Sequence, residues 1–320
     1  MSSFALRHGS IASLPTPYRQ GRVDLAAIEG LCHRLIRRGV VALSPCGTTG
    51  EGSLLTPEEH RQVVTTTVTA AAGRVPVIAG ASSNNTQVAL ELARAAESAG
   101  ANAILAVTPS YLRPGQAGII AHFCAIHDAV GIPVILSDVP ARTGCALEDA
   151  SVKELVKRPR IVGLKDATAD IPRVSRLRRR LGPEFLLLSA DDATQAAFRV
   201  AGGDGCISVA ANVAPALCAA LHHACDDGMA GDIQWYDQLL APLYEALALE
   251  ANPVPVKRAL SRMGLISDGL RLPLTPLGPD ADRELGQALD ATAPVEEKEA
   301  LRFAAMHASN VHSINKTQAA

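Results

Sequence analysis

Aromatic residues make up only 3% of this chain, with one tryptophan and four tyrosines. That is too few to build a stacking platform for single-stranded nucleic acid. Net charge is equally scarce: 30 basic against 32 acidic residues leave −2 at pH 7, with both signs mixed along the chain. Such a balance points to neither nucleic acid nor an anionic membrane as a partner. No apolar run is long enough to span a bilayer, and no signal peptide is read at the start. The seven cysteines (Cys32, Cys46, Cys124, Cys145, Cys206, Cys218 and Cys225) form no C-x-x-C pair. An odd set in mostly apolar surroundings reads as reduced, buried thiols in the cytoplasm, not as a disulfide framework or a zinc site. Cys46, beside a glycine-rich loop, is weighed as a thiol nucleophile against simple packing, and packing is favoured. His222-His223 has no third ligand in view, so no metal is expected. The one dense basic run, Arg176 to Arg180, ends a helical stretch where cations suit the helix dipole, and reads as a solvated face.

Hydrophobic residues, at 48%, are ample for a large core. Short apolar strand-like runs alternate with helical patterns along the chain. Strands are expected near 10–14, 40–43, 75–79, 103–107, 133–136, 160–164, 185–188 and 206–209. Helix signals fall between them: Asp24 as a cap, Thr56-Pro57-Glu58-Glu59 as a capping box with proline in the first turn, and stops at Gly39 and Gly100. Continuous apolar strands in strand–helix order mean a parallel sheet covered by helices. Eight such units closing on themselves need about 250 residues. The fold expected is therefore an α/β (β/α)8 TIM barrel over 1–228. A small helical appendage over 229–295 follows, kinked near Pro242, and then a tail over 296–320 that frays as a weak helix and ends disordered. A doubly wound open sheet is the alternative, but no G-x-G-x-x-G follows the first strand.

In such a barrel the active site is built at the C-terminal ends of the strands. The sixth strand delivers one lysine there, Lys165, out of Ile161, Val162 and Leu164. An ammonium stripped of water loses charge, and a neutral amine can condense with a ketone to form a Schiff base. The competing reading is a strand-end lysine paired with Asp166 or left in solvent. The second strand delivers Gly47-Thr48-Thr49-Gly50-Glu51-Gly52, whose glycines allow backbone N–H groups to approach an anion closely. Tyr111 follows the fourth strand, Arg142 the fifth, and Ile207 lies on the eighth. Amine, anion loop, phenol and guanidinium at one rim suit a 2-oxo acid.

The motifs Gly-Thr-Thr-Gly-Glu at 47–51, Thr108-Pro109 with Tyr111, Val139-Pro140-Ala141-Arg142-Thr143-Gly144, Gly163-Leu164-Lys165-Asp166-Ala167-Thr168 and Asn252-Pro253-Val254-Pro255-Val256-Lys257 together resemble the dihydrodipicolinate synthase and N-acetylneuraminate lyase family of Schiff-base barrels. The likeness runs from about Gly9 to Leu277, and Arg142-Thr143-Gly144 resembles the synthase branch. It implies that Lys165 forms an imine with pyruvate and that the enamine condenses with aspartate semialdehyde. No cofactor beyond that covalent link is implied. Thr49, with Gly47 and neighbouring amides, would hold the pyruvate carboxylate near the Ile207 backbone. Thr48 and Tyr111 would belong to a proton relay, with Tyr111 reaching a neighbouring subunit's site, which implies a homodimer or homotetramer. Arg142 would receive the second substrate's carboxylate.

One position departs from the family. Its fifth strand normally ends Tyr-Asn-Val-Pro, and here it reads Ser137-Asp138-Val139-Pro140. A serine hydroxyl is shorter and far less acidic than a phenol, so it needs a water to serve the relay, unless Asp138 substitutes. Two alternatives follow: an aldolase or dehydratase for another 2-oxo acid, of the 2-keto-3-deoxy sugar acid type, or a low-turnover pyruvate-binding paralogue. The synthase branch is often inhibited by lysine; of the positions involved, His60 and Asn84 match, while Gly52, Pro57, Val88 and Ser110 depart. Insensitivity to lysine is expected.

Overall fold

The computed structural model describes residue 6 and residues 8–317, with side-chain surroundings to residue 305. Eight parallel strands run in chain order around a barrel: β1 (Gly9–Ser13), β2 (Ala42–Ser44), β3 (Ile78–Gly80), β4 (Ala103–Val107), β5 (Val134–Asp138), β6 (Ile161–Asp166), β7 (Leu186–Ser189) and β8 (Gly205–Ser208). A bridge between Leu43 and Val77 closes the ring between β2 and β3. The strand-to-helix alternation read from the sequence is thus a closed (β/α)8 barrel. A two-stranded ribbon, Tyr18–Arg19 with Arg22–Val23, precedes the first helix and has no counterpart in the sequence reading.

Eight helices cover the strands: α1 (Leu25–Arg37), α2 (Pro57–Ala71), α3 (Thr86–Ser98), α4 (Gln116–Ala129), α5 (Asp149–Leu155), α6 (Ile171–Leu181), α7 (Gln195–Val200) and α8 (Pro215–Asp226). Their starts follow from local chemistry. Asp24 accepts the Ala27 N–H at 3.1 Å, and the Thr56–Glu59 capping box forms in both directions. Side chains alternate across each strand. Ile11, Ala42, Ile78, Ala103, Leu105, Ile135, Leu188 and Ile207 fill the barrel interior. Leu43, Leu136, Leu164 and Leu187 face outward into the larger core under the helices.

Three helices follow, α9 (Ala230–Ala248, containing Pro242), α10 (Val254–Arg262) and α11 (Pro279–Thr317). Helix α11 runs through the boundary expected at 295/296, so residues 296–317 continue it. The Glu296 carboxylate accepts the N–H groups of Ala216 and Leu217, at 3.2 and 3.0 Å, and pairs with Arg38. That satisfies donors otherwise orphaned in the first turn of α8. Phe303 is buried against Ala216 and Ala219, whereas Leu301 is exposed. Met306 lies beyond the described side chains, and the expected disordered tip at 318–320 lies outside the described residues.

The basic run is only in part the solvated face expected: Arg179 and Arg180 are exposed, but the other two arginines are engaged. Arg178 donates to the carbonyls of Gly202, Gly182 and Phe185 and pairs with Asp204 at 2.6 Å. Arg176 pairs with Asp149 and Asp170. One turn earlier Arg173 is buried and holds Asp138 at 2.8 Å, Asp149 at 2.9 Å and Asp166 at 3.1 Å. Replacing Arg173 by Met strands two buried carboxylates, so unfolding in urea should show a loss of about 3–5 kcal/mol. A loss below about 1 kcal/mol, the level of a surface pair, would contradict this account of the node.

Candidate active site

β5 and β6 lie side by side with Ser137 opposite Lys165 and Asp138 opposite Asp166. Alternation sends the first pair into the barrel and the second outward to Arg173. Asp166 also accepts the Thr168 N–H at 2.8 Å. The pairing of Lys165 with Asp166 therefore does not occur. Lys165 makes no hydrogen bond or ion pair among the described residues, and burial lowers its pKa, assisted by nearby Arg142 and opposed by Cys206 and Asp192.

Asp138 is excluded from the site for the same reason. Its carboxylate is fully buried under the helices, tied to Arg173 and to the Leu147 N–H at 3.0 Å. It cannot substitute in a relay inside the barrel. Ser137 does face inward, and its hydroxyl has no hydrogen-bond partner among the described residues.

A cavity of about 560 Å³ opens at the C-terminal mouth of the strands, lined by Lys165, Thr48, Thr49, Arg142, Ile207 and Asn252 among others. Four of these are the polar groups the rim reading collected, now brought around one space. The loop after β2 is pressed against β3, where a Cβ on Gly80 would lie 2.3 Å from the Cys46 carbonyl oxygen, and it folds tightly on itself, where one on Gly52 would lie only 2.1 Å from the same oxygen. Glycine is required at both. The N–H groups of Thr48 and Thr49 find no acceptor among the described residues, while those of Glu51 and Gly52 turn back onto Thr48 and Gly47. Gly47 shapes the turn but does not line the cavity. Buried Thr49 takes hydrogen bonds from Ser13 Oγ at 2.8 Å and Asn252 Nδ2 at 3.0 Å.

Tyr111 stands apart. It is 87% exposed at φ 70°, on the loop after β4, with its N–H on the Thr143 carbonyl. Within one chain it does not reach the cavity. Cys46 is buried beside the His60 carbonyl and burial pushes its thiol well up, which fits the packing reading. His222 is buried, donating to Gln195 Oε1 at 3.0 Å, with its pKa pushed down to about 3 by burial. No group of three or more metal-binding side chains occurs among the described residues. His60 is buried with Nε2 2.7 Å from the Gly80 carbonyl.

Sequence reasoning missed one wall of the cavity, residues 247–252 with Tyr244, and also Ser13 and Asp192. Asp192 is buried, accepting from Ser208 Oγ and the N–H groups of Val209 and Ala210. Asn252 enters the sequence reading only within the Asn252–Lys257 motif that carries the family resemblance, with no role in the site assigned to it.

A closed barrel carrying an unpaired, desolvated amine beside free backbone donors is an α/β barrel equipped for carbonyl chemistry on an anionic substrate. The model of the dihydrodipicolinate synthetase family matches residues 6–292, and the chain belongs to that family. It is 50% identical over 279 residues to the 4-hydroxy-tetrahydrodipicolinate synthase of Hyphomonas neptunium, covering 87% of this chain and 94% of that protein. Among solved structures it resembles the chloride-inhibited dihydrodipicolinate synthase of Acinetobacter baumannii complexed with pyruvate. That match has 40% identity and a TM-score of 0.87, over 89% of this chain and 99% of that one. The Aquifex aeolicus dihydrodipicolinate synthase gives 36% identity and a TM-score of 0.87, over 88% and 97%.

Only the neutral amine attacks a carbonyl, so covalent trapping of a keto acid at Lys165 should slow as pH falls. The lowered pKa keeps a reactive fraction at pH values where a solvated lysine, titrating near 10.4, has almost none. Borohydride trapping rates measured over roughly pH 6 to 9 check the slope; a flat profile would contradict it.

Proposed function

We propose that this chain is a 4-hydroxy-tetrahydrodipicolinate synthase, a lyase that joins pyruvate to aspartate semialdehyde through a Schiff base on Lys165. The single observation that carries the reading is the unpaired Lys165 amine facing the cavity beside the free N–H groups of Thr48 and Thr49. The lone pair of Lys165 Nζ adds to the ketone carbon of pyruvate and water leaves, giving an iminium. That iminium withdraws electrons, so the methyl group loses a proton and the resulting enamine carbon attacks the aldehyde. Thr49 and the loop amides hold the pyruvate carboxylate, near Ile207, while Arg142 receives the carboxylate of the semialdehyde. The names of the relatives and the pyruvate held by the Acinetobacter baumannii protein support this reading.

Thr48 and Tyr111 serve proton transfer, with Tyr111 supplied across a subunit interface, since its exposed ring leaves its own cavity. A homodimer or homotetramer follows, working in the cytoplasm without metal or cofactor. Ser137 stands at the phenol position of the relay and acts through a water. The same residue favours a second reading, an aldolase or dehydratase for another 2-oxo acid whose own hydroxyl or carboxylate supplies the proton.

Mass spectrometry after borohydride reduction with pyruvate should find the adduct on the peptide holding Lys165; its absence rejects both enzymes. A coupled assay with aspartate semialdehyde separates them. Ser137→Tyr should raise turnover of that substrate, by up to the roughly 10²–10⁴ that a positioned acid–base group contributes. No gain would mean that Ser137 does not limit the relay. Lysine at millimolar concentration should leave the rate unchanged, and half-inhibition there would overturn the departure read at Gly52, Pro57, Val88 and Ser110.

A further inference from the structure

The roof over the Thr48–Thr49 loop comes from outside the barrel. Residues 247–252, the end of α9 and its connection to α10, line the cavity, and Asn252 reaches down to Thr49. The same loop is held a second time. Lys257 of α10 donates to Glu51 Oε1 at 2.5 Å, both side chains buried, with its Nζ 4.2 Å from the centre of the Tyr18 ring.

We propose that Asn252 is a positioning residue for the 2-oxo acid carboxylate, acting with Ser13 to aim the Thr49 hydroxyl proton at the ligand. This rests on the pyruvate reading above. A hydroxyl has one proton and two lone pairs, and an amide N–H can only donate. Asn252 Nδ2 at 3.0 Å and Ser13 Oγ at 2.8 Å occupy both acceptor positions of Thr49 Oγ1. The Thr49 proton then has no acceptor among the described residues and is left for the cavity. A donor set in this way needs no reorientation when an anion binds. Asn252 Oδ1 is buried without a partner. Turning the amide over would present that oxygen to Thr49, claim its proton and remove the donor from the site. The Lys257–Glu51 pair fixes the loop against the same α10 segment, so the distance from Asn252 to Thr49 is held at two points.

Asn252→Asp tests the direction of the proton, because a carboxylate can only accept and also repels the ligand. Its KM for pyruvate should rise about tenfold or more, the size of one lost hydrogen bond to a charged group. Asn252→Ala and Ser13→Ala should raise it less, and all three should keep the KM for the aldehyde within about twofold of the parent value. Thermal unfolding of each variant identifies any that misfold, and Ser13→Ala alone carries the prediction if Asn252 variants do. A pyruvate KM for Asn252→Asp within about twofold of the parent, or a rise shared equally by both substrates, would overturn the proposal. Failure of the parent protein to trap pyruvate at all is a separate result and sinks the underlying reading instead.

Discussion

Lys165 is free because Arg173 is not. Two aspartates flank the inward-facing pair on β5 and β6, and either could have neutralised the amine. The pleat turns both outward, where Arg173 from α6 binds them under the helices. A buried guanidinium with three carboxylates is a costly assembly, tolerated when every charge is paired and hydrogen-bonded. Its effect on the inner side of the sheet is an amine that forms no ion pair among the described residues and is disfavoured as a cation by burial. Imine chemistry at this position depends on that separation of charges to opposite faces of two strands.

The anion side of the cavity depends on a different constraint, backbone contact. Gly80 lets the loop after β2 lie against β3, and Gly52 lets that loop fold back on its own Cys46, at distances no side chain allows. With that loop pressed down, Thr48 and Thr49 line the same cavity as Lys165. The opposite side is closed by residues after the barrel. The C-terminal helices are therefore part of the site, through Asn252 on Thr49 and Lys257 on Glu51.

Helix α11 adds a third form of coupling. The family match ends at residue 292, and Glu296 lies just past it. Its buried carboxylate caps the first turn of α8 in place of a local N-cap side chain, and Arg38 of the α1 end balances the charge. Burial raises the Glu296 pKa, while the two N–H donors and Arg38 act to lower it. The tail that reads as polar and weakly amphipathic is tied to the barrel by Glu296, by Glu297 on Arg38 and by Phe303.

The barrel itself was legible because its signals are local. Strand-length apolar runs, the Thr56–Glu59 box and the Gly39 and Gly100 stops each act within a few residues, and the structure forms an element at every one. Lys165, Thr48, Thr49, Arg142 and Ile207 were legible as a group because strand ends converge in any closed barrel. Which way a side chain points was not. A one-residue slip on β5 would exchange Ser137 with Asp138 and put a carboxylate against Lys165. Only the ladder register decided between them. Nor did the chain order reveal that Arg173 sits under the sheet while its neighbours span a helix face, or that Asn252, 203 positions from Thr49, completes its hydrogen bonding. Sequence patterns carry period and propensity; the meeting of distant residues depends on how whole elements pack, and packing alone gave this site its counter-ion-free lysine and its roof.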